Sequence, residues 1–239
     1  MAEPTYMNPF VLPVDQIVPE SRDPIDLYLP EGEGPHPAIV FVHGGPVPVE
    51  MQPSPRHWPM FRGYGALAAS RGAVGVVVDH PLHTPADYPA SAATLVTALA
   101  TVRADPRVDP DRIAVWFFSG GSPLSADLLR EPPAWLRVLA LTYPLLEPFP
   151  GMDVDAVYRP VEAVALAGAL PIVLTRAGRE HPFVAGTVAN FVAAAEAVKA
   201  DLRIVDVPNG RHSFDILDHT DESREAVLAA LTLVLDELN

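Results

Sequence analysis

Three short apolar runs constrain the fold of this chain more than any other feature of its sequence. They are PAIVFV at 37–42, AVGVVV at 73–78 and IAVWFF at 113–118. A strand with one exposed face alternates apolar and polar residues, whereas these runs are apolar throughout, which is typical of strands buried on both faces. Three further segments extend the pattern, at 136–142, 172–175 and 202–207. The sequence therefore predicts a central β-sheet whose strands are mostly parallel.

Helical patterns separate these runs. The segment 187–199 spaces its apolar residues along one helix face. Further helices are predicted at 61–69, at 90–102, from just after Ser119 towards Arg130, and at 223–238. The alternating segment 25–29, IDLYL, predicts an early antiparallel strand. Strands that alternate with helices indicate an α/β fold, with a doubly wound, mostly parallel sheet and helices on both faces.

The length and composition favour a single domain over residues 1–239, because 49% of the residues are apolar and can form a substantial core. The 28 prolines fall mostly at the edges of predicted elements. Two insertions, near 47–60 and 143–167, are long enough to contribute a small cover over a site. We expect only a minimal cap.

The formal net charge of −14 argues against nucleic acid and anionic membrane surfaces as partners, because both require clustered lysine and arginine. The absence of cysteine excludes disulfides, a thiolate nucleophile and a cysteine-based zinc site. The N-terminal segment lacks the pattern of a signal peptide, and no apolar run reaches the length of a membrane-spanning helix. We therefore expect a cytoplasmic protein. The sequence is also compatible with a homodimer.

Chemically informative residues follow four of the predicted strands, where parallel α/β sheets bind their ligands. In chain order these segments are His43-Gly44-Gly45-Pro46, Ser119-Gly120-Gly121, the segment 176–182 with Glu180, and the segment 208–214 with His212. The order is a backbone-donor loop, a serine, an acid and a histidine. Serine, acid and then histidine is the order of the α/β-hydrolase triad.

The segments VFVHGG, VDPDRIAVWFFSGG, LTRAGREHP and VPNGRHSFD together resemble the α/β-hydrolase superfamily, in its branch of dienelactone hydrolase-like small esterases related to acetylxylan esterases. The resemblance extends over nearly the whole chain and implies the α/β-hydrolase fold. It implies Ser119 as nucleophile, His212 as base and Glu180 as the acid that orients the base. The backbone N–H groups of Gly45 and Gly120 would form the oxyanion hole. The implied reaction needs no cofactor and no metal.

The chain departs from the family pattern at residue 117. The motif G-x-S-x-G requires a small residue two positions before the nucleophile, and this chain has Phe117 there. Two readings therefore stay open. The first is a serine hydrolase that cleaves a small or medium carboxylic ester, lactone or thioester through an acyl-enzyme. The second is a non-hydrolytic protein of the same fold, either a ligand-binding scaffold or a cyclase or lyase.

Alternatives to individual site residues also stay open. Ser122 and Ser125 are the alternative nucleophiles, and Asp153, Asp155 and Asp206 are the alternative acids. His80 and His83 follow a strand next to Asp79, a spacing that zinc can use, but we interpret them as pocket-lining residues together with Trp58 and Tyr143. We interpret His43 as a structural residue of the donor loop.

Overall fold

A computed structural model describes residues 4–239, and its centre is one eight-stranded β-sheet. The strands are Glu20–Arg22 (β1), Ile25–Tyr28 (β2), His36–Val42 (β3), Val74–Val78 (β4), Val108–Phe118 (β5), Leu136–Thr142 (β6), Ile172–Arg179 (β7) and Leu202–Arg211 (β8). Their order across the sheet is β1-β2-β4-β3-β5-β6-β7-β8. Strands β3 to β8 pair in parallel, whereas β1 and β2 are antiparallel to their neighbours. The predicted early antiparallel strand is confirmed as β2.

Seven helices cover the sheet within the described residues. They are Pro59–Ser70 (α1), Tyr88–Arg103 (α2), Ala126–Arg130 (α3), Pro160–Ala163 (α4), Pro182–Val198 (α5), Phe214–Leu217 (α6) and Asp221–Leu238 (α7). Apolar residues of α1 and α7 form one buried cluster, and those of α2 and α5 form the other. The two clusters lie on opposite faces of the sheet, which confirms the doubly wound arrangement.

The central strand β5 shows how the sheet sorts its side chains. Successive residues of a strand point to opposite faces. Accordingly Trp116 and Phe118 belong to the cluster with α1 and α7, whereas Phe117 belongs to the cluster with α2 and α5. All three side chains are almost fully buried. The continuous apolar run of β5 is therefore explained by burial on both faces.

The predicted helix directly after Ser119 is wrong in its first part. Residues Ser119–Ser125 form a 3-10 helix, and the α-helix α3 begins only at Ala126. Pro123 has no N–H to donate to the Ser119 carbonyl, as an α-helix would require. That carbonyl instead accepts a hydrogen bond of 3.1 Å from the Leu145 N–H. The chain after the serine is thus tied to the segment that follows β6.

Other boundaries differ from prediction in ways that local chemistry explains. Helix α5 begins at Pro182 rather than residue 187, since proline fits the first position of a helix. Strands β7 and β8 continue to Arg179 and Arg211. No sequence pattern predicted β1, α4 or α6, which are three or four residues long.

Within residues 4–239, no helix combines the length and the apolar character needed to cross a lipid bilayer.

Candidate active site

Ser119 stands directly after β5 in a backbone conformation that few non-glycine residues adopt. Its φ is +47°, in the left-handed region. Such a conformation costs about 1–3 kcal/mol and persists only where surrounding contacts enforce it. It turns the chain sharply at the carboxyl end of the sheet and projects the serine hydroxyl from that edge. This is the geometry expected of a nucleophile elbow, and it forms although residue 117 is phenylalanine.

Phe117 reaches this geometry because its side chain leaves the turn. The residue pairs with Val42 and Leu141 on the neighbouring strands, and its side chain is fully buried on the α2 and α5 side of the sheet. The ring therefore does not occupy the space in which Ser119 meets the donor loop.

The structure brings Ser119, His212 and Glu180 into one hydrogen-bonded row. The distance from Ser119 Oγ to His212 Nε2 is 2.7 Å, and His212 Nδ1 lies 2.6 Å from Glu180 Oε2. An ionised carboxylate can only accept hydrogen bonds, so His212 donates from Nδ1 and accepts the serine proton at Nε2. Glu180 is itself fixed, because its Oε1 accepts a hydrogen bond of 2.7 Å from the His181 N–H. Only 4% of the Glu180 side chain is exposed.

The alternative serines and acids have other environments. The Oγ atoms of Ser122 and Ser125 are buried and have no hydrogen-bond partner among residues 4–239. Asp155 caps a 3-10 turn by accepting from Val157, and Asp206 pairs with Arg176. Asp153 is exposed in the second insertion.

The donor loop after β3 packs directly against the residues that follow the serine, because β3 and β5 are neighbours in the sheet. A Cβ built on Gly120 would lie 1.9 Å from the Gly45 carbonyl oxygen and 3.3 Å from the Gly45 nitrogen. A Cβ on Gly121 would lie 2.2 Å from the His43 carbonyl oxygen. Both glycines are therefore required by close backbone approach. This packing puts the backbones of Gly45 and Gly120, the two predicted oxyanion donors, side by side.

His43 supports the donor loop from beneath. It is buried, and burial lowers its pKa to about 4, so the ring is neutral at neutral pH. Its Nδ1 lies 2.6 Å from the Gly44 carbonyl oxygen, and its Nε2 accepts a hydrogen bond of 3.3 Å from the His80 N–H. Donation from Nδ1 and acceptance at Nε2 are consistent with one neutral tautomer. These contacts support the structural role predicted for His43.

His80 and His83 are not among the residues that line the cavity at Ser119. The His80 ring stacks on His43 at 3.7 Å, and His83 Nδ1 contacts the Val47 carbonyl oxygen at 2.8 Å. Both histidines line a second cavity of about 330 Å³, which adjoins the serine cavity through Val47 and Met51. The stack arises because both loops follow neighbouring strands, β3 and β4, at the same sheet edge. Among the described residues, no group of three or more acidic or histidine side chains is arranged to hold a metal ion.

Ser119 opens into a cavity of about 330 Å³ with mainly apolar walls. The first insertion contributes much of the wall, including the predicted residue Trp58, and Tyr143 lines it as predicted. The other aromatic residues of the second insertion pack elsewhere, with Phe149 on Phe183 and Tyr158 on Tyr88. A larger concavity of about 920 Å³ lies against the proline-rich segment 9–14, and Ser119 is not among its lining residues.

Sequence reasoning missed two parts of this site. Thr5 and Tyr6 close one side of the cavity, with the Tyr6 ring 4.8 Å from the Trp58 ring. Asp215, three residues after His212, is completely buried and accepts hydrogen bonds from Tyr64 and Tyr143. The only sequence signal was an aspartate within the apolar run FDIL.

Known proteins were compared with the chain by sequence and by structure. No protein-family model matches the sequence, and no curated protein matches it. A bacterial heroin esterase superposes with a TM-score of 0.72 at 18% identity, covering 90% of this chain and 79% of that chain. Esterase 2 of Thermogutta terrifontis, phosphoramylated by tabun, gives a TM-score of 0.70 at 20% identity, covering 89% and 88%. The propionate-bound form of that planctomycete esterase gives 0.68 at 21% identity, covering 89% of each chain. Similarity at this level of identity establishes the fold, and the chain has the α/β-hydrolase fold.

Proposed function

We propose that the protein is a serine hydrolase that cleaves small or medium carboxylic esters through an acyl-enzyme intermediate. The observation that carries the proposal is the hydrogen-bonded row of Ser119, His212 and Glu180, in which each distance is 2.7 Å or less. A serine hydroxyl is a poor nucleophile until an imidazole accepts its proton, and a carboxylate on the far nitrogen fixes the required tautomer. The three residues then act as a catalytic triad.

In the acylation step, Ser119 Oγ attacks the ester carbonyl carbon while its proton moves to His212 Nε2. Negative charge develops on the carbonyl oxygen, and the N–H groups of Gly45 and Gly120 stabilise it. Loss of one such donor typically costs about 3–4 kcal/mol of barrier stabilisation. The proton on Nε2 then passes to the departing alcohol as its bond to carbon breaks. A water molecule, activated by the same nitrogen, hydrolyses the acyl-enzyme and restores the serine.

The substrate class follows from the cavity at Ser119. A volume of about 330 Å³ with walls from Met51, Trp58 and Met60 suits a short apolar acyl or alcohol group. Lactones and thioesters of similar size belong to the proposed class. The heroin esterase and esterase 2 of T. terrifontis are both named as esterases, and their shared fold supports the same class of reaction here.

A fluorophosphonate probe tests the proposal directly, because it forms a covalent adduct only with an activated serine. We expect intact mass and peptide mapping to find one adduct, on Ser119. The variant Ser119→Ala should lose the adduct and at least about 10³-fold in turnover of p-nitrophenyl butyrate. Glu180→Gln should retain the fold and lose about 10²- to 10⁴-fold in kcat, since the tautomer is no longer fixed.

Ser122→Ala is the matched control. Ser122 follows Ser119 by three residues and is buried, and its hydroxyl has no hydrogen-bond partner in the described part of the chain. This variant should label and turn over like the wild type. Labelling at Ser122 would reassign the nucleophile. Folded protein that neither reacts with the probe nor hydrolyses p-nitrophenyl esters would favour the non-hydrolytic reading.

A further inference from the structure

A buried carboxylate lies next to the proposed triad and has no part in the chemistry derived above. Asp215 is 0% exposed. The Tyr143 hydroxyl lies 3.0 and 2.9 Å from its two oxygens, and the Tyr64 hydroxyl donates to Oδ2 at 3.0 Å. A carboxylate without such partners is very costly to bury. Asp215 therefore joins three separate elements: the end of β6, helix α1, and its own helix α6.

Tyr143 extends this connection to His212. The centre of its ring is 4.8 Å from the centre of the His212 imidazole, with the planes inclined at 53°. The tyrosine has a φ of +36°, so its backbone is also held in an unfavourable conformation. Its N–H donates to the Thr175 carbonyl oxygen at 2.8 Å, which anchors the other end of the residue. Ser119 and Glu180 hydrogen-bond to the two nitrogens of His212, and the Tyr143 ring packs against the imidazole.

The charge of Asp215 is available at neutral pH. Burial raises its pKa to about 6, while the hydrogen bonds from both tyrosines and the nearby His212 act in the opposite direction. Above that pH the carboxylate is ionised. Its hydrogen-bond partners are neutral phenols, since burial beside this carboxylate holds the pKa of Tyr64 and Tyr143 well above the usual value.

We propose that Asp215 is a positioning residue for His212, which it serves by holding the Tyr143 ring against the imidazole and by adding a second buried negative charge beside that of Glu180. This inference rests on the proposed hydrolase function, in which His212 accepts a proton from Ser119. A nearby negative charge favours the protonated form of an imidazole. Asp215 thus stabilises the imidazolium that forms when Ser119 loses its proton.

Besides Asp215, other polar and charged groups surround His212. Glu180, after β7, and Ser119, after β5, contact the ring directly. Arg211, adjacent in the chain, is neutralised by its ion pair with Asp218, and Arg179 adds a positive charge near that same aspartate. The buried charged groups of this set are Glu180 and Asp215.

The test uses Asp215→Asn, which preserves shape and removes the charge. We expect kcat for p-nitrophenyl butyrate to fall about 10-fold while KM stays within two-fold, since Asp215 is not among the residues that line the cavity at Ser119. The acidic limb of the kcat/KM profile should move to lower pH by about 0.5 to 1 unit, because the imidazolium has lost a stabilising charge. A purely structural role would change stability without moving this limb.

Two tyrosine variants separate positioning from stability. Tyr143→Phe and Tyr64→Phe each remove one hydroxyl that contacts the same carboxylate, yet only Tyr143 packs on His212. We expect Tyr143→Phe to lower kcat several-fold and Tyr64→Phe to leave it within two-fold of wild type. Equal losses of kcat in both variants, or an unchanged kcat and pH profile in Asp215→Asn, would overturn the proposal.

A measurement that needs no turnover keeps this inference separate from the proposed function. The titration of the His212 side chain can be followed by NMR with labelled histidine, its signal assigned by its loss in His212→Gln. Its midpoint should move to lower pH in Asp215→Asn. A wild-type protein that shows this shift but neither labels at Ser119 nor hydrolyses esters would contradict the hydrolase proposal alone. Full hydrolysis without the shift would contradict the role of Asp215 alone.

Discussion

At the scale of single residues, the requirement for small side chains around Ser119 falls after the serine rather than before it. Strand alternation buries Phe117 on the far face of the sheet, so that position tolerates a large ring. Gly120 and Gly121 instead face the donor loop at distances that no Cβ can occupy. The motif G-x-S-x-G has a glycine on each side of the serine. Packing in this chain requires glycine only after the serine, at Gly120 and Gly121.

Substitution of Gly120 tests this reading. In Gly120→Ala the new methyl group would meet the Gly45 carbonyl oxygen at 1.9 Å, so the donor loop must move. We expect kcat for p-nitrophenyl butyrate to fall at least about 10²-fold, the usual effect of losing an oxyanion donor. The matched control is Gly186→Ala on α5, where no atom beyond the adjacent residues and the helix's own backbone lies within 4 Å of the added Cβ. It should keep full activity and raise the free energy of unfolding by about 0.5–1 kcal/mol. Comparable activity in both variants would show that the contact with Gly45 is dispensable.

At the scale of elements, the sequence predicts best what is long, apolar and buried. Each predicted strand is present. Most of them are buried on both faces, and such strands have a composition that exposed segments lack. The order of residues after those strands, taken with the resemblance to α/β-hydrolases, predicted that Ser119, Glu180 and His212 meet, since parallel strands end at one edge. The 3-10 helix after Ser119 was missed because it depends on the carbonyl bond to Leu145, which lies on a different element.

The cavity wall formed by the N-terminal segment was also beyond prediction. Tyr6 packs on Trp58 across 52 positions of sequence, and its hydroxyl donates to the Gln52 carbonyl oxygen at 3.0 Å. No local periodicity encodes such a contact. The N-terminal segment and the first insertion therefore act together as the cover that the insertions alone were expected to supply.

Removal of the Tyr6 ring should widen the substrate range. In Tyr6→Ala one wall of the cavity is lost, and we expect kcat/KM for p-nitrophenyl octanoate relative to the butyrate ester to rise at least about 10-fold. Tyr6→Phe keeps the ring and loses only an exposed hydrogen bond, so its chain-length profile should match the wild type. A profile that shifts equally in both variants, or in neither, would show that the ring does not limit the cavity.

At the scale of the whole molecule, buried groups close to the site make opposite contributions to stability as pH changes. His43 and His80 are stacked and buried, and burial lowers the pKa of His43 to about 4 and that of His80 well below its usual value. Asp215 is buried with a pKa raised from 3.8 to about 6. Below pH 6.5 the unfolded chain binds protons at the two histidines that the folded chain does not, which destabilises the fold. Below about pH 6 the folded chain binds a proton at Asp215 that the unfolded chain does not bind until about pH 4, which stabilises the fold.

These opposite pH dependences of stability predict opposite effects for two substitutions, each of which keeps a side chain close in size to the original. In the wild type, His80 Nε2 lies 3.0 Å from the His43 carbonyl oxygen. His80→Gln keeps a hydrogen-bond donor for that oxygen and removes one titrating histidine. As pH falls from 6.5 to 4.5, the variant should lose less stability than the wild type, by about 2–3 kcal/mol for one proton over two pH units. Asp215→Asn should lose more stability than the wild type, by up to a similar amount, because its stabilising protonation is gone.

Urea unfolding at pH 4.5, 5.5, 6.5 and 8.0 measures both differences. Stability curves that run parallel to the wild type would mean that neither group titrates differently in the folded and unfolded chains. Since His43 and His80 support the donor loop and Asp215 supports Tyr143, divergent curves would show that the groups holding the site also determine the pH range over which the fold is stable.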